Sequence, residues 1–284
     1  MARVNGLTTM EVEVDLRKNA SMNAQDYYLR AKKAAAKTRG AEKALADTLR
    51  KMEGLRKGSF MKKEGGIERK LAVEKRWYEK FRWFYSSNGL LVVGGRDATT
   101  NEILVKKHVE KHDVIFHADV HGAPFFVIKN PEGVSIPEST MKETASAAAS
   151  YSSAWKNGLG SCDVYYVNPE QVSKTAGSGE YMPKGGFMVR GEKKWFRNTE
   201  LKVAIGFVIG DEVSVVGGPV ESIASKTKHY VELGVGSLKS KELAMEVRSH
   251  ILRGTGREEG QKIKKASLED IQRFIPAGGG RVLS

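Results

Sequence analysis

Lys202-Val-Ala-Ile-Gly-Phe-Val-Ile-Gly-Asp-Glu-Val-Ser-Val-Val216 decides the fold. The apolar runs at 202–208 and 212–216 read as two strands with only three residues between them,. Parallel neighbours need a crossover of about a dozen residues, so this pair must run antiparallel. Strands at 186–190 and 230–233 extend the pattern on either side. Further upstream, 90–93, 114–117, 125–128 and 164–167 read as strands, while 100–109, 138–156, 219–226, 240–252 and 268–274 read as helices,. The expected class is α+β, with a mixed, partly antiparallel sheet and flanking helices. The tail, Pro276-Ala-Gly-Gly-Gly-Arg281, is flexible by composition,.

The N-terminal third has another texture. Residues 10–16 alternate strictly, with Val12, Val14 and Leu16 opposite Glu11, Glu13 and Asp15, which predicts a short strand,. From about 23 to 57 the chain is built of Ala, Lys, Arg, Glu and Leu, with Leu45, Leu49 and Met52 on one helical stripe and Gly40 interrupting,. Turn signals at 57–66 and a second helical pattern at 67–85 predict a basic helical hairpin, a short coiled coil that projects,. The expected division is therefore 1–85, strand plus hairpin, and 86–284, the α+β domain.

The 284 residues carry 47 Lys+Arg against 34 Asp+Glu, a net of +13. Of these, 20 basic and 11 acidic residues fall within 1–80, so most of the excess sits at one end. A basic element is the footprint of a polyanion partner, because each cation near a phosphate releases condensed counterions. A solvated lysine-rich helix face is the plain alternative. With 40% apolar residues the chain has ample core, and its single cysteine, Cys162, excludes an internal disulfide and indicates a reducing compartment,. No apolar stretch is long enough for a membrane span or a signal peptide, so a cytoplasmic protein is expected,.

Four stretches are candidates for chemistry. Lys75 to Tyr85 interleaves six aromatics with four basic residues; on a helix, Trp77, Phe81 and Phe84 share a face that either docks the hairpin or stacks on bases,. Gly94-Gly-Arg-Asp97 leaves a strand and enters a helix, a turn whose free amides suit an anion, with Arg96, Asp97 and Asn101 beside them,. His117-Ala-Asp-Val-His121 ends a strand, so His117, Asp119 and His121 share a face and either hold a metal, hydrogen-bond one another or contact a phosphate,. Gln171, Ser173, Lys174 and Thr175 offer amide, hydroxyl and ammonium donors in a loop with few apolar anchors,. Trp155 is expected in the core, with Lys156 closing its helix. No G-x-S-x-G elbow or activated cysteine is present, so no catalytic residue is assigned,.

Taken together, Lys75-Arg-Trp-Tyr-Glu-Lys-Phe-Arg-Trp-Phe, Gly94-Gly-Arg-Asp-Ala, Asn101-Glu, His117-Ala-Asp-Val-His-Gly-Ala, Ser153-Ala-Trp, Gln171-Val-Ser-Lys-Thr, Ser178-Gly-Glu-Tyr and Gly186-Phe-Met-Val-Arg-Gly resemble the NFACT-R domain. That domain occurs in fibronectin-binding-protein-like factors and in the nuclear export mediator factor family, and the resemblance extends over roughly 11–283. It implies a non-enzymatic RNA-binding protein of ribosome-associated quality control, contacting tRNA or rRNA on the large ribosomal subunit that carries a stalled nascent chain. It implies RNA contact through Arg96, Asp97, Asn101, His117, Asp119, His121, Lys156, Gln171, Ser173, Lys174 and Thr175, with no cofactor and no metal. Full-length members begin with a separate N-terminal domain for which this chain has no room, so a separately encoded N-terminal partner is expected. Two alternatives remain open: a metal-dependent hydrolase of nucleic acid or phosphoester using His117, Asp119 and His121, and a protein adaptor docking through the hairpin.

Overall fold

A computed structural model describes residues 13–61, 76–174 and 185–283. The chain divides into two units, Met1–Val73 and Glu74–Ser284.

In the first unit a single helix, α1, runs from Ala20–Met61 without a break at Gly40. Its 42 residues span about 63 Å at the usual helical rise,. Asn19 caps it, its side chain accepting from the Met22 amide at 2.9 Å,. Residues 13–16 are not the expected strand. Asn23 instead ties them to the first helical turn, accepting from the Asp15 amide at 2.8 Å and donating to the Asp15 carbonyl, while the Tyr27 hydroxyl donates to the Glu13 carbonyl at 2.6 Å. Leu45 and Leu49 of the apolar stripe are exposed.

The second unit corrects the expectation of a helix over 67–85. Residues 67–75 lie outside the described residues, but 76–85 make a short 3-10 turn, Trp77–Lys80, and then a strand, β1, Arg82–Tyr85. Packing explains the difference. Phe81, Trp83 and Tyr85 enter one apolar cluster while Phe84 enters the other, a period of two that only a strand can satisfy,.

From β1 the chain continues as β2 (Leu91–Gly94), α2 (Ala98–Lys107), β3 (Val114–Ala118), β4 (Phe125–Ile128), α3 (Glu138–Ser150), α4 (Ser153–Lys156) and β5 (Ser161–Val167). Then follow β6 (Val172–Ser173), β7 (Met188–Val189), β8 (Lys194–Glu200), β9 (Lys202–Ile209), β10 (Val213–Gly218), α5 (Val220–Ala224) and β11 (Tyr230–Leu238). The chain ends with α6 (Ser240–Arg253), α7 (Arg257–Ile263), α8 (Leu268–Gln272) and β12 (Gly280–Val282). One sheet has the order β1-β2-β4-β3-β5-β8, a second has β10-β9-β11-β12, and β6 pairs with β7. Every ladder among the described residues is antiparallel, and the class is α+β.

Helix α3 packs on β3, β4, β5 and β8 of the first sheet and on β9 of the second. Its Ala145, Ala147, Ala148 and Ala149 are buried, and side chains this small let two sheets approach one helix closely,. The expected single helix over 138–156 is two helices, because the Ser152 hydroxyl accepts from the Ala154 amide and starts α4 anew,. The opposite face of the first sheet holds a smaller apolar cluster of Phe81, Leu104, Ile115, Phe125, Val127 and Tyr165. The glycine-rich tail is also ordered: β12 pairs with β11, and Gly278 at φ +128 brings its backbone against Lys156,.

Candidate nucleic-acid interface

Strand register gathers the sequence candidates at one end of the first sheet. Gly94 pairs with both Arg82 and Phe126, and His117 pairs with Phe125 and Tyr165. The exits of β2 and β3 therefore stand beside the entrances of β1, β4 and β5. From that end the chain enters α2 through Gly95-Arg-Asp97 and turns through Asp119-Val-His121. Helix α4 joins there, the Ser153 hydroxyl donating to the His121 carbonyl at 2.7 Å.

The Gly-Gly pair is required by packing. A Cβ on Gly94 would fall 2.4 Å from the Phe126 ring, and one on Gly95 would fall 2.7 Å from the Asn101 side-chain oxygen. Asp97 caps α2: its carboxylate accepts from the Thr100 amide at 2.8 Å, and the Thr100 hydroxyl accepts from the Asp97 amide at 3.0 Å,. Asn101 is buried with both ends in use, accepting from the Phe125 amide at 2.8 Å and donating to the Gly185 carbonyl at 2.9 Å. It fastens α2 to β4 and to the segment that leads into β7.

The loop candidates are likewise engaged. Lys174 reaches Glu102 at 3.4 Å and the Gly186 carbonyl at 3.1 Å, with its ammonium 5.0 Å from the Phe187 ring centroid. Glu102 also pairs with Lys106 at 2.6 Å, and these hydrogen bonds hold its carboxyl down at about 2,. Gln171 donates to the carbonyls of Arg190 and Glu192 and accepts from the Asn168 amide, so it closes the loop between β5 and β8. The Ser173 hydroxyl is buried with no partner among the described residues. Thr175 lies outside the described residues.

His117 sits between the Phe125 and Tyr165 rings, with Nε2 3.1 Å from the Ala123 carbonyl oxygen. That contact requires a proton on Nε2 and leaves Nδ1 as a buried lone pair with no partner among the described residues,. Burial pushes its pKa down to about 4, so the ring is neutral at pH 7,. Asp119, His121 and Lys156 are exposed. Among the described residues no group of three His, Cys, Asp or Glu side chains is arranged to hold a metal ion.

Arg96 turns to a different set of neighbours. It lines a narrow cavity with Arg82, Arg273, Tyr151 and Phe126. The Arg82 guanidinium lies 4.4 Å from the Tyr151 ring centroid, a cation–π contact, and the Tyr151 hydroxyl donates to the Phe274 carbonyl at 2.8 Å,. Burial pushes the Tyr151 phenol up to about 12, so it stays a neutral donor. Burial also lowers the pKa of Arg82 and of Arg96, the latter further through the neighbouring charges of Arg273 and Arg82. No carboxylate lies within ion-pair distance of any of the three arginines among the described residues.

The expected single polar surface is thus divided. Arg96 associates with Phe84 and Phe126 of the larger core, whereas His117 and Lys174 border the smaller one. Arg273 and Tyr151 escaped sequence reasoning, since they are separated from Arg96 by 177 and 55 positions and no local pattern joins them. Arg82 was within reach, but a helical reading of 67–85 aims it elsewhere. A second cationic area borders β8, with Lys193 4.2 Å from the Tyr165 ring centroid and Arg197 4.0 Å from that of Trp195.

Residues 80–191 match the model of the NFACT protein RNA-binding domain. The chain is similar to the archaeal Rqc2 homolog of Methanocaldococcus jannaschii, 39% identical over 76% of this chain and 31% of that protein. It is similar also to the ribosome quality control complex subunit NEMF of Homo sapiens, 38% identical over 69% of this chain and 18% of that protein. The C-terminal part of the fibronectin/fibrinogen-binding protein from Streptococcus suis aligns with 64% of this chain and 77% of its own length, at 18% identity and a TM-score of 0.37. The chain spans less than a third of the length of these two relatives. The stretch from β1 to Gly191, with the Arg96 turn and the His117 strand inside it, belongs to the NFACT RNA-binding domain family.

Proposed function

We propose that this chain binds RNA without catalysing a reaction, and that its targets are tRNA, rRNA of the large ribosomal subunit, or both, in quality control of stalled nascent chains. The observation that carries the reading is the arginine group Arg82, Arg96 and Arg273, at the sheet end of an RNA-binding family domain, with no carboxylate partner among the described residues. Arg96 and Arg273 are exposed and Arg82 is half-buried, and none of them is held by an ion pair among the described residues, so their donors are open to an anion from solution,. Phosphodiesters supply the missing charge. The basic helix α1 adds charge to the same kind of contact, and the relatives named as ribosome quality control factors support the setting,. Cytoplasmic action completes the proposal.

Crosslinking in cells, followed by sequencing of the attached RNA, tests it. Enrichment of tRNA or large-subunit rRNA over a mock pull-down is the expected result. Recovery of neither would contradict it.

A further inference from the structure

We propose that Arg82, Arg96 and Arg273 form a site for one phosphate, and that the adjoining cavity takes the nucleoside attached to it. The domain would then hold a single unpaired ribonucleotide. This rests on the RNA-binding reading and adds to it a place and a size.

The phosphate half follows from charge and shape. Three guanidiniums are delivered by β1, by the turn into α2 and by the residue after α8, which have no sequence proximity. Bringing three like charges to one wall is unfavourable unless an anion offsets them. The space they line is only about 10 Å³, room for one water, so the anion sits across the mouth,. There the Arg82 guanidinium rests over Tyr151, 4.4 Å from its ring centroid, and its fork of donors is of the kind that phosphate oxygens accept from,.

The nucleoside half follows from the neighbouring cavity, which shares Trp83, Phe84, Arg273 and Phe274 with the arginine wall. Its volume is about 420 Å³. That lies within the range of roughly 300–1,000 Å³ typical of small-ligand sites. Trp83, Phe84, Val215 and Phe274 offer apolar and aromatic surface to a base,. Glu79, Asp270 and Lys226 also line it; the Lys226 ammonium is committed to the Tyr85 carbonyl at 2.6 Å, and the two carboxylates outweigh it, so the walls disfavour a second phosphate while accepting from ribose hydroxyls or a base amino group,. One phosphate and one neutral nucleoside is the composition these walls fit. An unpaired nucleotide presents both, whereas a base-paired one keeps its base inside the helix.

Calorimetry on the full chain with inorganic phosphate, with a 5′-mononucleotide and with a single-stranded RNA decamer tests this, using Arg96→Gln, Arg273→Gln and Val215→Trp. The two arginines are replaced by an uncharged side chain of similar reach, and thermal melts of each variant establish that it is folded. The mononucleotide should bind about tenfold tighter than phosphate, each Arg→Gln change should weaken both by about tenfold, and Val215→Trp should remove only the nucleotide's advantage. Equal binding of phosphate and mononucleotide would overturn the nucleoside half. Unchanged affinities in both Arg→Gln variants, with RNA still bound, would overturn the site and leave the RNA-binding reading intact. Mononucleotide binding that responds to the arginines, beside a decamer that does not bind, would keep the site and overturn that reading.

Discussion

Trp155 Nε1 donates to the Gly279 carbonyl oxygen at 2.9 Å, and through that bond the C-terminal tail is built into the core of the domain. Trp155 is fully buried, and Gly280 fits beside it because it has no side chain; a Cβ there would fall 2.5 Å from Leu243. Replacing Trp155 by Ala should cost about 3–5 kcal/mol, while Trp155→Phe, which keeps most of the volume and loses the donor, should cost about 1 kcal/mol. Chemical denaturation of the two variants separates cavity from hydrogen bond. Equal losses would show that the cavity adds nothing to the loss of the indole N–H, and a negligible loss in Trp155→Phe would show that the N–H contributes nothing.

Asp113 is buried and holds the loops at the start of β3. It accepts from the amides of Glu110 and Asn130 and pairs with Lys129 at 2.5 Å, both side chains being almost wholly inaccessible. Asp113→Ala should destabilise by about 3–5 kcal/mol, since it takes the buried carboxylate from the Lys129 ammonium, which keeps only the His108 carbonyl and exposed Glu110, and leaves two amides unpaired,. Replacing exposed Glu110, which Lys129 also meets at 3.2 Å beside the His108 carbonyl at 2.7 Å, should cost less than about 1 kcal/mol,. Urea unfolding of the two variants checks the ratio.

Asn101 makes a comparable link from α2. Asn101→Ala leaves the Phe125 amide unsatisfied inside the protein, for a loss of about 1–3 kcal/mol,. Gly95→Ala acts on the same contact from the other side, pressing a methyl group onto Asn101, and should also destabilise,. In the double variant the two losses should sum to less than the singles, which a double-mutant cycle measures.

His117 gives the fold an acid-sensitive element. Its folded pKa, about 4, lies below the ordinary 6.5, so between these values the unfolded chain binds the proton that the folded chain refuses,. The contribution is complete above about pH 6.5, falls away as pH drops towards 4 and is then lost, a change on the order of 2 kcal/mol after allowance for partial exposure. Stability measured from pH 7 to 4 should decline in wild type, with a flatter profile in His117→Phe. A ring resonance titrating near 6.5 in the folded protein would contradict this account.

Much of the fold was legible in the sequence. The strands at 202–208 and 212–216 and the long helix follow from local period and composition. What failed did so for tertiary reasons. Residues 76–85 carry aromatics on every side, which a helix reading accepts, and only the presence of two separate cores on either side of β1 fixes a period of two. The glycines at 278–280 read as slack because their use, close approach to Trp155, Lys156 and Leu243, involves elements far back in the chain. At the candidate site the sequence pointed to Arg96 but grouped it with His117 and Lys174. The structure instead sets it beside Arg82 and Arg273, an association that strand register and the return of the C-terminal segment create.

RNA affinity as a function of salt tests the central claim most directly. Fluorescence anisotropy of a labelled tRNA with the full chain, titrated at several salt concentrations, should give affinity that falls steeply as salt rises. Arg96→Gln and Arg273→Gln should each weaken binding and lower the slope of log affinity against log salt by about 1. A wild-type chain that binds neither tRNA nor rRNA at about 50 mM salt, where phosphate contacts are strongest, would contradict the account.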